Sequence, residues 1–274
     1  MQQAKFLSVA LVACVIAFLM VGCRGGGTGF RRASGPVLEP LSKEDAVRLV
    51  NNNIAQVTGT LRATGSVDGH FVNAGSKRRV NYNVDGTLFY LSPYYLRFDL
   101  KKLGDRQVLF GSNDQYYWAY TKDDNAYMCG RMDGSDAERA DFPLRPDQII
   151  EALGLTPIPG YGAGAEMRVQ PEYQQVLFEG KEYWLDRRAP RLVRKVVFRN
   201  ADGTVAMSSD VSDYRPVPGG PVLPYLVNTE WPGRNTRLRF DIGRWTVADE
   251  VVPGGPQFAT PAECLPKGGS AGAR

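Results

Sequence analysis

Four cysteines and a single histidine are the most reactive side chains in this 274-residue sequence. Cys14 and Cys23 stand near the N-terminus, Cys129 and Cys264 lie far apart in the remainder, and His70 is alone. No set of them has the short, repeated spacing of a metal site. No Gly-x-Ser-x-Gly elbow supplies a hydrolase nucleophile. His70 follows the turn-like pair Asp68-Gly69 and reads as an exposed turn residue. The run Gly25-Gly26-Gly27-Thr28-Gly29 lacks the preceding strand and following helix of a phosphate loop. No catalytic residue, metal or cofactor is expected. Asp99, Asp186 and Asp241 lie in alternating segments and are expected to pair with neighbouring arginines across a sheet. The thiol with a distinctive setting is Cys23.

Cys23 closes an apolar run from Phe6 to Val21 that one cation, Lys5, precedes. The run is short for a bilayer span and has the layout of a secretory signal. Its end, Met20-Val21-Gly22-Cys23, resembles the lipobox of bacterial lipoprotein signals, with Met20 where leucine is usual. The resemblance implies that residues 1–22 are a signal peptide and that Cys23 carries a diacylglyceryl group, with its new amine acylated as well. One chain holds only marginally at about 0.8 kcal/mol per buried methylene, and two or three make attachment lasting. The other reading is an uncleaved anchor helix with a buried cysteine. Arg24 stands where an aspartate would imply inner-membrane retention, so the expected place is the outer membrane, facing the periplasm. Residues 23–40, rich in Gly and Ser early on, read as a flexible tether.

Without Lys5 the chain keeps 32 of its 33 basic residues against 29 acidic ones, a near-neutral balance that suggests no nucleic-acid partner. The length suits one domain, assigned to 41–250, followed by a loose Pro/Gly-rich tail, 251–274. In an exported chain Cys129 and Cys264 can form one disulfide or remain two thiols.

The segments that position these residues are mostly strands. Ser42 caps a short helix with Glu44 and Asp45 in its first turn. From Gln56 the pattern has period two, punctuated by Asp68-Gly69, Asp85-Gly86, Ser92-Pro93, Asn113-Asp114 and similar signals, which predicts consecutive antiparallel hairpins. A second short helix starts at Pro146 and stops at Gly154, and strands then resume to about residue 246. Ten or more strands cannot stay flat, so the fold class is mainly β, a large curled antiparallel sheet. Leu96 and Phe98, Val108 and Phe110, Trp118, Phe198, Leu238 and Phe240 alternate with polar residues and are expected to line a concave face. Ile149, Ile150 and Leu153 of the second helix would be its lid. Two short helices look too small to fill such a face, which leaves room for an apolar ligand. The row Tyr116, Trp118 and Tyr120 fits either a ligand site or ordinary sheet core. Lys77-Arg78-Arg79 and Arg187-Arg188 fit either lipid headgroups or a solvated rim.

The order helix, strands, helix, strands resembles the periplasmic lipoprotein carrier and outer-membrane lipoprotein receptor (LolA/LolB-like) superfamily. So do "YLSPYYLRFDL", "VLFGSNDQYYWAYT" and "EYWLDRRAPRLVRKVVFRNADGTV", in a likeness running from about residue 44 to 246. The resemblance implies an unclosed half β-barrel with helices over its concave face. It further implies that the partners are the acyl chains of lipid or lipoprotein, beside the membrane reached through the acyl anchor; with no catalytic motif, a non-enzymatic monomer is expected. The reading kept beside it is an envelope sensor or scaffold whose half-barrel is filled by its own side chains and which binds another protein.

Overall fold

The computed structural model describes residues 34–72, 79–133, 145–158 and 164–265. Cys23, the signal peptide 1–22, most of the tether, Lys77, Arg78 and the end of the tail lie outside the described residues.

Helix α1 spans Lys43–Ile54. The Ser42 hydroxyl accepts from the Asp45 amide at 3.1 Å, so one of the orphan N–H groups at the helix start is satisfied. Six strands follow: β1 Leu61–Val72, β2 Arg79–Leu91, β3 Tyr95–Lys102, β4 Asp105–Ser112, β5 Tyr116–Thr121 and β6 Ala126–Arg131. Helix α2, Pro146–Ala152, comes next. The chain ends with β7 Glu166–Val169, β8 Tyr173–Phe178, β9 Lys181–Asp186, β10 Val193–Arg199, β11 Val205–Pro216, β12 Val222–Trp231 and β13 Thr236–Val247. Among the described residues all thirteen strands form one antiparallel sheet, ordered β6-β5-β4-β3-β2-β1-β13-β12-β11-β10-β9-β8-β7, and the sheet is not closed. The chain starts in the middle, steps outward to β6, crosses by way of α2 to the opposite edge, and steps back until β13 pairs with β1. The expected curled, open sheet with two short helices is what the structure has.

Two of the turn signals are wrong. β1 runs through Asp68-Gly69 and β2 through Asp85-Gly86, both fully paired. Gly86 is needed for space: a Cβ there would lie 2.7 Å from Val67 and 3.2 Å from the rings of Phe98 and Phe240. Those rings sit 5.0 Å apart although β2 and β1 separate their strands. Neighbouring strands are about 4.8 Å apart, so rings three strands distant meet only over a strongly concave face. His70 is likewise inside β1 rather than at a turn, its Nδ1 2.6 Å from Asn81 Oδ1.

The outer face of the β1–β6 half carries the tail. Val251 and Phe258 are buried, and with Ala248 they pack on Phe89, Leu91 and Tyr95. Asn113 Nδ2 donates to Phe258 O at 3.2 Å and to Thr260 Oγ1 at 2.8 Å. A disulfide joins Cys264 to Cys129 on edge strand β6. Over 251–265 the expected loose tail is therefore a packed strap. Its Pro and Gly residues shape turns, while a few apolar side chains supply the contact.

Candidate functional site

The concave face is built from alternate residues of the strands. Leu96, Phe98, Val108, Phe110, Leu238 and Phe240 are buried in one cluster, and half-buried Phe198 packs against it. Trp118 does not join them. In β5 the inward residues are Tyr117 and Ala119, so Trp118 points outward with Tyr116 and Tyr120, against Leu109 and the disulfide. Gly111 on the adjacent strand makes room for it, since a Cβ there would stand 2.3 Å from the Trp118 ring.

The cover comes from both helices. α1 buries Ala46, Val47, Val50 and Ile54, and α2 buries Ile149, Ile150 and Ala152, with Leu153 at its C-cap. Leu155 and Ile158 continue the cover after the left-handed Gly154, φ +69°. Seven residues are too few for a helix that is stable alone, so α2 depends on what it touches. Apart from apolar contact these are specific polar ties. Lys181 Nζ donates to Glu151 Oε1 at 2.5 Å. Ser209 Oγ donates to Ala152 O at 2.8 Å, and Tyr90 Oη to Leu155 O at 3.3 Å.

Three side-chain amides act like short strand partners, each bonding both the N–H and the C=O of one distant residue. Asn51 holds Ile158 at 2.8 and 3.0 Å. Asn53 holds Val222 at 2.9 Å on both sides. Gln174 holds Leu41 at 3.0 and 2.8 Å. Arg187 fixes the segment before α1 by donating to Leu38 O through Nε at 3.0 Å and Nη2 at 2.9 Å. Arg188 is paired with Glu172 at 2.8 Å. Sequence reasoning missed these ties, because every one joins residues far apart in the chain.

The electrostatics inside the cover centre on α2. Burial pushes the Glu151 carboxyl above its ordinary range, and Lys181 only partly opposes this. Burial and the charge of Glu151 push the Tyr183 phenol up as well. On the outer face, burial raises Asp99, but the hydrogen-bonded Arg106 with Lys101 and Arg97 more than offset it and hold the carboxyl below its usual range. Asp186 lies 3.8 Å from Arg188 and Arg194, and Asp241 3.4 Å from Arg239.

A cavity of about 490 Å³ opens beside α1, bordered by Leu41, Arg48, Leu49, Pro190, Leu192 and Val222, and none of the expected lining residues reaches it. On the inner face those residues are packed in the core instead: Leu96 is 0% exposed, Phe98 and Phe240 1%. Among the described residues no three His, Cys, Asp or Glu side chains gather as metal ligands.

No family model matches the sequence, and no curated protein does. Solved structures do match in fold. A LolA superfamily protein from Nitrosomonas europaea superposes with a TM-score of 0.50 at 8% identity, covering 80% of this chain and 99% of that one. A domain from Vibrio parahaemolyticus, described as sorting outer-membrane lipoproteins, gives 0.47 at 10% identity over 77% and 95%. The first likeness shows the fold: an open barrel of the LolA kind.

Proposed function

We propose that this chain is a lipid-anchored protein of the bacterial envelope that takes acyl chains of lipid or lipoprotein into its concave face. It serves as a carrier or receptor in their transport and makes or breaks no bond. The supporting observation is the nature of the cover. A large apolar face lies beneath helices of 12 and 7 residues that are tied down by a handful of polar contacts. Lifting α2 bares Ile149, Ile150, Leu153 and their partners, at about 1.5–3 kcal/mol for each large side chain exposed. An acyl chain entering the same face returns about 0.8 kcal/mol per methylene buried, so a long chain can offset the opening. Cys23, if acylated, keeps the domain at the outer membrane, facing the periplasm.

Lipid extraction of the purified full chain, followed by mass spectrometry, tests the reading. Acyl lipid near one equivalent is expected, with less retained by Leu238→Gln at a temperature well below its own, lowered, melting point. The scaffold reading is favoured by a different observation, that the inner face is already filled by its own side chains. A well-folded protein that retains no lipid would decide for it. The anchor has its own test: Cys23→Ser is expected to release the protein from salt-washed membranes.

A further inference from the structure

The inner side of β9 changes character along its length. Lys181 stands at its start, just past the Glu179-Gly180 turn at the rim of the sheet, while Tyr183 and Leu185 follow on the same face, both 2% exposed. One ammonium and one phenol thus lie at the edge of a face that is otherwise nearly all apolar. Its neighbours Val176, Val196 and Met207 are buried carbons. The group that meets Lys181 is the carboxylate of Glu151, brought by the lid helix itself. The Tyr183 hydroxyl faces the same carboxylate: it and Glu151 Oε2 are both buried and interact with each other, although short of good hydrogen-bond geometry. A carboxylate, an ammonium and a phenol gathered at the edge of a closed apolar core cost free energy to desolvate, and a core built only for packing would avoid them. Asp147, the other acid of α2, adds only repulsion.

We infer that Glu151 holds the place of the ligand's anionic head, and that the ligand is an acyl chain ending in a carboxylate. Resting on the acyl-chain reading above, this names the head group that the same face selects. When α2 lifts, Glu151 leaves with it. Lys181 and Tyr183 then offer a charged and a neutral donor to both oxygens of an incoming carboxylate. The acyl tail runs inward from the rim past Leu185 and Met207. The lid carboxylate is a competitor that closes the site when it is empty.

The test titrates the purified full chain with pyrenylhexadecanoic acid and, separately, with its methyl ester. The wild type is expected to bind the acid at least about tenfold more tightly, the worth of one charge-assisted hydrogen bond. Lys181→Met is expected to erase that preference while ester binding is kept. Tyr183→Phe, which removes one oxygen without disturbing the packing, is expected to weaken the acid several-fold. Equal binding of acid and ester by the wild type, or a preference unchanged in both Lys181→Met and Tyr183→Phe, overturns the head-group assignment alone. Binding of neither probe overturns the acyl-chain reading and this assignment with it.

Discussion

Asp99 and Glu151 are both buried acids, yet their surroundings drive them in opposite directions. Asp99 is 5% exposed and receives both Arg106 donors at 2.8 Å, with Arg97 at 3.3 Å and Lys101 at 3.7 Å. Asp99→Asn should lower stability by about 2–3 kcal/mol, less than breaking a fully buried pair because the three cations keep some contact with water. Since its pKa is depressed, this stabilisation is present above the ordinary aspartate value of 3.8 and is lost as pH falls through the lowered one. Denaturant midpoints of wild type and variant should therefore converge in acid. Glu151 has the other sign. Its pKa is raised above 4.5, so docking of α2 takes up a proton, is firmest in acid, and loosens as pH rises through the raised value. Hydrogen exchange of the α2 amides, corrected for intrinsic rates, should be slower at low pH than at neutrality, and Glu151→Gln should remove the difference. The sequence made the pairing of Asp99 legible, because its arginines are near neighbours in the strand pattern. It hid Glu151, which sits between Ile150 and Leu153 on a lid read as apolar and finds its partner 30 residues on.

At the scale of elements, alternation of apolar and polar residues located the strands and both helices, because burial on one face imposes a period of two or nearly four. It failed where both faces are apolar. In β5 every residue from Tyr116 to Tyr120 is suited to a core, so only the strap on the outer face shows which way Trp118 points. The strap was illegible for the opposite reason: Val251 and Phe258 are too few and too far apart to make a pattern. Its disulfide closes a loop with a sequence separation of 135, worth up to about 5 kcal/mol on the chain-entropy account. Cys264→Ser should lower the melting temperature by several degrees, and Phe258→Ala, which loses the Tyr95 ring contact at 5.4 Å, should add to this. A variant melting with the wild type would show that the strap merely rests on the sheet.

On the scale of the whole molecule, the open sheet was expected from the number of strands and the family likeness, and the joining of its halves was not. Local signals announce hairpins, whereas nothing local announces that Leu61 pairs with Val247. That seam, β1 against β13, sets the order in which the protein can assemble. Each half is a run of neighbouring hairpins that needs only short loops to close. The seam must bring together the two ends of the domain, and the entropy of so long a closure makes it the slow step. Val67, fully buried at the seam beside Phe240, should therefore govern the rate of refolding when cut to alanine, whereas Val176→Ala within β8 should mainly hasten unfolding. If the chain is exported unfolded and N-terminus first, as the proposed function requires, the first six strands emerge long before β13. Until the last strand arrives, the paired half of β1 leaves its other edge bare, and that edge is where a chaperone or a second copy would bind a chain not yet finished.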